Sequence, residues 1–194
     1  MPTSRTVNGK ALSANITLSA SDVSAAPASH THTWSQISDR ASCTISTSGT
    51  ITGSKVYGAV WNDYAEYRTT KDEIQAGRVV TENGDDTLSL ATERLMPGAN
   101  IVSDTFGFAI GETENSKTPL AISGRVLAYP YEDRNSYKPG DPVCSGPNGT
   151  VSKMTREEVM MYPDRILGTV SAIPEYETWG TGNVVVNGRI WIKV

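Results

Sequence analysis

Val184-Val185-Val186-Asn187-Gly188-Arg189-Ile190-Trp191-Ile192-Lys193-Val194 is the stretch on which the fold turns. Two apolar, β-branched runs flank Asn187-Gly188, a dipeptide that tolerates positive φ at both positions and so favours the tight turn of a hairpin. The same composition recurs towards the N-terminus. Residues Gly77 to Thr81, Thr87 to Ala91, Ser103 to Ile110 and Ala121 to Tyr129 are rich in β-branched or aromatic side chains, and Gly, Asn, Asp or Pro bounds them. This spells a mainly β domain. Asn83-Gly84 and Asn148-Gly149 repeat the hairpin signal, Tyr137 to Asp141 reads as a turn into a strand at Val143, and Gly107 and Gly111 read as bulges or turns. One short helix is expected near 155–162, where Thr155 and Glu158 form a capping box and Pro163 ends the run.

The composition changes along the chain. From Met1 to Lys55 about two residues in five are Ser or Thr and the only aromatic side chain is Trp34, too little apolar area for a core of its own. The large anchors come later, among them Tyr57, Trp61, Tyr64, Tyr67, Phe106, Phe108, Tyr129, Tyr131, Trp179 and Trp191. The charge divides in the same way. Arg5, Lys10, Arg40 and Lys55 outnumber Asp22 and Asp39 in the first part, so the net charge of −4 comes wholly from the second. A boundary near residues 55 to 60 follows, with an extended segment at 1–55 and a globular head at 56–194.

This balance excludes several classes of function. An acidic chain lacks the clustered Lys and Arg with which duplex nucleic acid is bound. No apolar run approaches the roughly 20 residues of a membrane-spanning helix, and the first ten residues lack the apolar core of a signal peptide. Cys43 and Cys144 stand about a hundred residues apart, without a CxxC neighbour, and read as free thiols.

The segment from Val7 to Pro27 alternates small apolar and hydroxyl residues, with Leu12, Ile16, Leu18 and Val23 as its large apolar side chains after Val7. One copy cannot bury them, whereas three parallel chains about an axis would bring each row against two others. With its VNGK start at Val7, its Leu-Ser-x-Asn-x-Thr-Leu run from Leu12 to Leu18 and its Asp22-Val23-Ser24-Ala25-Ala26-Pro27 end, this segment resembles the short repeat of bacteriophage tail-fibre proteins. His30 and His32 follow within Ser29-His30-Thr31-His32-Thr33-Trp34. In extended chain, residues i and i+2 point to one side, so both imidazoles face one direction. Two ligands are too few for a site, but three chains would offer six nitrogens. Such a set suits an octahedral transition metal, among them iron, nickel, copper or zinc, better than magnesium or calcium. The motif is similar to the His-x-His of long tail-fibre tips in the T-even phages, and that resemblance implies axial iron held by three chains.

Val60-Trp61-Asn62-Asp63-Tyr64-Ala65-Glu66-Tyr67 lies at the boundary. Asp63 to Tyr67, followed by a β domain with Ile166-Leu167-Gly168-Thr169-Val170-Ser171-Ala172, resembles the intramolecular-chaperone autoproteolytic domain that ends phage tailspike and neck-appendage proteins. The match covers residues 57 to 194. It implies a trimerising head that templates the fibre upstream, with release by a cut between Asn62 and Asp63. On the residues themselves, Asn62 can attack its own carbonyl, and Asp63 or Glu66 can move the protons. Members of the family often carry Ser where this chain has Asn62, and an amide is the poorer nucleophile. The structural alternative makes Tyr64 and Tyr67 core or interface anchors.

Other chemistry is thin. The pairs Asp85-Asp86, Glu112/Glu114 and Glu157-Glu158 read as solvated acids, and no P-loop, HExxH or GxSxG motif occurs in a fitting context. The expected function is therefore structural: a homotrimeric phage or prophage tail-fibre tip, made in the bacterial cytoplasm and carried on the virion tail with other tail proteins. A self-cleaving peptidase at Asn62-Asp63 is one alternative. The other is a receptor-binding head whose Tyr131, Tyr176 and Trp179 stack on cell-surface sugars.

Overall fold

The computed structural model describes residues 6–7, 9–11, 15–27, 29–31, 62–180 and 184–194. The chain divides into two units, Met1–Ser54 and Lys55–Val194, each taken by itself. In the first, β1 (Thr6–Val7) pairs antiparallel with β2 (Lys10–Ala11) around Gly9. A short 3₁₀ turn, Ala20–Val23, comes next. The main-chain N–H and hydroxyl of Ser19 both donate to Asp22 Oδ2, at 2.7 and 2.8 Å, and Lys10 Nζ reaches the same oxygen at 2.6 Å. The lysine of the VNGK start is thus tied to the aspartate of the closing Asp-Val. Lys10, with help from Ser19, holds the Asp22 carboxyl below its usual range. Val7, Leu18 and Val23 stay exposed within this unit.

The second unit is mainly β with one short α-helix. Its strands are β3 (Asp63–Arg68), β4 (Val79–Glu82), β5 (Leu88–Leu90), β6 (Ala99–Ile101), β7 (Phe106–Ile110), β8 (Thr118–Ala128), β9 (Pro142–Gly146), β10 (Thr150–Lys153), β11 (Gly168–Ala172), β12 (Thr178–Trp179), β13 (Val184–Val185) and β14 (Ile190–Lys193). The helix α1 (Arg156–Met161) lies between β10 and β11. Seven strands form one sheet in the order β10-β9-β11-β14-β8-β3-β7, antiparallel except for the parallel pair β3–β7. A three-stranded sheet, β5-β4-β6, and the small pair β12–β13 complete the unit.

Period-two alternation places the core. Ile190 and Ile192 of β14, with Val126 and Ala128 of β8, face a cluster that includes Val79, Ile101, Val143, Val151 and Val170. Trp191 and Leu127, one residue out of phase, face the opposite side with Val186. The centre of the sheet is therefore covered on both faces. A further cluster joins Val80 and Leu88 to Val102 and Leu120.

The helix forms as its capping box demands. Thr155 Oγ1 accepts from the Glu158 N–H at 3.2 Å, and Glu158 returns the bond to the Thr155 N–H at 2.8 Å. Glu158 also accepts from Arg94 at 2.7 and 2.8 Å, so this member of the Glu157-Glu158 pair anchors the helix to its neighbours rather than standing in solvent. Asp85 and Asp86 pair with Lys71 and Arg68 but stay largely in solvent, as read from the sequence. Cys144 is a buried free thiol whose pKa burial pushes up. Cys43 lies outside the described residues, as do Tyr57 and Trp61.

Three hairpin expectations fare differently. Asn148-Gly149 turns as expected, with φ of 57° and 67°, and joins the paired strands β9 and β10. Asn187-Gly188 also turns with positive φ, at 45° and 76°, and the Arg189 N–H closes onto the Val186 carbonyl at 2.9 Å. The runs it joins do not pair with each other, however, because β14 already has β11 and β8 on its two edges while β13 pairs with β12. At Asn83-Gly84 the hairpin β4–β5 forms, but the positive φ falls on Asp86 (61°), in a wider loop braced by Asn83 Nδ2 on Thr87 and Ser89. Gly107 occupies a bulge: Asp63 faces Phe106, Tyr64 faces Phe108, and the glycine between them is the extra residue.

Candidate functional site

The Asn62–Asp63 bond lies at the entrance to β3, between β7 and β8. Its environment is built mainly by two segments distant in sequence. From β8, the Arg125 N–H donates to the Asn62 carbonyl at 2.9 Å, and Arg125 Nη2 donates to Asn62 Oδ1 at 2.9 Å. A guanidinium only donates, so this bond fixes which end of the Asn62 amide is oxygen. The other end, Nδ2, is buried without a hydrogen-bond partner among the described residues. Gly124 makes the approach possible. Its φ is +118°, and a Cβ there would collide with the Asn62 carbonyl oxygen and stand 2.7 Å from Asp63 Cα.

The segment Ser103 to Thr105 closes the other side. Thr105 Oγ1 donates to Asp63 Oδ1 at 2.6 Å, the Thr105 N–H is held by Ser103 Oγ at 3.0 Å, and the Thr105 carbonyl accepts from the Asn62 N–H at 3.3 Å. Between them, Asp104 receives a bidentate pair from Arg189, at 2.8 and 2.9 Å, and Arg189 is itself only 3% exposed. Asp63 is buried to 1% exposure, and its Oδ2 has no partner among the described residues. Burial raises the Asp63 pKa against the opposing hydrogen bonds of Thr105 and Ser103, and the nearby charge of Asp104 adds to the rise. A buried polar atom left unpaired costs about 1–3 kcal/mol. Two stand here on adjacent residues, one a donor and one an acceptor.

Glu66 does not join this group. It sits three residues along β3, about 10 Å away and on the face opposite Asp63. Tyr64, on the side of Glu66, stacks on Phe108 with ring centroids 5.5 Å apart, and Tyr67 meets Phe106 edge to face at 6.1 Å. Arg125, Gly124 and the Ser103–Thr105 segment were not among the residues singled out from the sequence. The one legible signal was Gly124, a glycine inside a β-branched run.

Of the three aromatic residues expected to stack on a ligand, two come together. Tyr176 lies 6.1 Å from Trp179, Trp179 packs edge to face on the buried Trp191 at 5.3 Å, and Trp191 Nε1 donates to the Tyr176 hydroxyl at 2.7 Å. Tyr176, Arg134, Glu175, Glu177 and Asn187 border a cleft of about 440 Å³. Tyr131 is exposed elsewhere and makes no ring contact with this pair among the described residues.

In the N-terminal unit, His30 is exposed and its Nδ1 lies 2.8 Å from the Pro27 carbonyl. A carbonyl only accepts, so Nδ1 carries the proton and Nε2 is the basic nitrogen of the neutral ring. His32 lies outside the described residues. Among the described residues no group of three or more His, Cys, Asp or Glu side chains within the chain is placed to hold a metal ion. No helix there is long and apolar enough to cross a membrane.

No protein-family model matches the chain, and no curated protein matches it. Among solved structures it is similar to the crystal structure of the pre-mature bacteriophage phi29 gene product 12, with a TM-score of 0.52 at 15% identity. The similarity covers 77% of this chain and 24% of that one, so it spans about a quarter of the phage protein's length. At this identity the likeness defines a shared fold.

Proposed function

We propose that this chain is a structural component of a phage or prophage tail, a homotrimeric distal tip that registers three chains, ends the fibre and is carried on the virion. The observation that supports this reading most is the fold shared with the phi29 gene product over most of the chain. Exposed apolar residues in both units agree with it. Val7, Leu18 and Val23 in the first and Phe108, Ile110 and Ile122 in the second keep much of their apolar area exposed. Light scattering with size-exclusion chromatography tests the reading: a mass of three chains is expected, and a monomer overturns it.

In the trimer, His30 and His32 of three chains hold a transition metal, iron first and nickel or zinc as alternatives. The Nδ1–H bond from His30 to Pro27 supports this role, since it orients the ring and fixes its tautomer. The metal would pin the three stems in register. Elemental analysis of untagged trimer should find one ion per three chains, and its absence removes the assignment.

A second reading is self-cleavage between Asn62 and Asp63, in the manner of an intramolecular chaperone. The two unpaired buried atoms flanking this bond favour it. Intact-mass measurement should detect a species matching residues 63 to 194. The cleft beside Tyr176 supports contact with a surface glycan or protein of the host as a further task of the head, and glycan-array binding that is lost in Tyr176→Ala tests it.

A further inference from the structure

We infer that the Asn62–Asp63 bond breaks by cyclisation of Asn62, with Arg125 as the residue that prepares both the nucleophile and the carbonyl. The inference rests on the self-cleavage reading and assigns its chemistry. Cleavage on the N-terminal side of an aspartate needs a nucleophile that reaches the preceding carbonyl carbon. Within Asn62 the side-chain nitrogen forms a five-membered ring with that carbon, so the attacking group is already intramolecular.

An amide nitrogen is a weak nucleophile until its electrons are released from the carbonyl, and Arg125 acts on that weakness. Its guanidinium donates to Oδ1 at 2.9 Å and so stabilises negative charge on that oxygen, the form in which Nδ2 loses a proton and attacks. The same bond orients the amide, leaving Nδ2 as the end with no competing acceptor. Meanwhile the Arg125 main-chain N–H stands 2.9 Å from the Asn62 carbonyl oxygen, the atom on which charge develops during attack. Gly124 is what lets the strand come this close.

The proton balance is carried by Asp63. Its Oδ2 is a buried acceptor with no donor, next in sequence to a buried donor with no acceptor. The two atoms are not bonded to each other in the resting structure; as the side chains close up, the Nδ2 proton passes to this carboxylate and the new C–N bond forms. The carboxyl group then gives it to the Asp63 main-chain nitrogen as the old C–N bond breaks. The products are residues 1–62 ending in an aminosuccinimide and residues 63–194 with a free N-terminal amine. No water is consumed and no co-reactant is needed.

The test is time-resolved intact-mass spectrometry of the full chain in heavy-oxygen water. Early fragments are expected to sum to the mass of the intact chain, with residues 1–62 lighter by one water than a hydrolysed product and trapped as a hydroxamate by hydroxylamine. Asn62→Ala should abolish the cut. Asn62→Gln, which needs a six-membered ring, should slow it strongly. Arg125→Ala should slow it about tenfold or more, with partial recovery in Arg125→Lys. Early fragments carrying heavy oxygen at the new C-terminus, or cleavage at an unchanged rate in Asn62→Ala, overturn cyclisation and leave self-cleavage standing. A chain that stays whole under all conditions overturns both.

Discussion

The centre and one edge of the seven-stranded sheet use similar side chains to opposite effect. Around β14 and the C-terminal half of β8, consecutive residues bury on alternate sides: Ile190 and Ile192 enter one cluster and Trp191 the other. At β7 and the adjoining part of β8, Phe108 is 60% exposed, and Ile110 and Ile122 are also exposed. An apolar side chain in the first region stabilises the monomeric fold. In the second a large share of its area stays in water and contributes nothing to folding unless a partner covers it.

That contrast can be broken at either end. Trp191→Ala should be the most damaging substitution, costing about 3–5 kcal/mol because it empties a closed site and strips the Tyr176 hydroxyl of its donor. Urea denaturation measures this directly. Gly124→Ala should cost about 2–3 kcal/mol, since a β-carbon at φ +118° is strained and strikes the Asn62 carbonyl. The same variant should release Asn62 from Arg125, visible as faster amide exchange at Arg125. Thr155→Ala removes the helix cap and should cost about 1 kcal/mol. Phe108→Ser should cost the monomer no more than about 1 kcal/mol, mainly the stack on Tyr64, while weakening association. If it unfolds the monomer instead, the open face is not open.

Acid provides a further probe of the site itself. Burial raises the Asp63 pKa in the folded state, so folding favours the protonated carboxyl. The penalty of burying the charge is present at neutral pH and is relieved as pH falls through the folded pKa towards the unfolded value of 3.8. Asp63→Asn should therefore raise Tm relative to the natural chain at neutral pH, and the gain should shrink on acidification. A gain that persists unchanged at acid pH would show that the carboxyl is not the cause.

Much of this was open to reading without coordinates. The β character, the capped helix at Thr155 and the Asn148-Gly149 turn follow from local preferences, and local preferences are written residue by residue. The pairing of β3 with β7 and β8, and the insertion of β14 between β8 and β11, were not legible. Nothing in Asp63 to Arg68 names strands some 40 and 60 positions away as its neighbours. The cleavage candidate shows the same division. Asn62 and Asp63 stood out as a motif, while Glu66, three residues on, looked equally close. Strand periodicity then turned Glu66 to the opposite face and brought Arg125, Thr105 and Gly124 to the bond.

By itself the sequence determined the mainly β character, several of the strands, where the helix begins, and that the first 55 residues are poor in large apolar side chains. These are properties of short windows and of composition. Only the tertiary structure decided which β-branched runs pair, which apolar residues are left in water, and which side chains surround the Asn62–Asp63 peptide. Those depend on contacts between distant positions, where packing and the pairing of buried polar groups outweigh local preference.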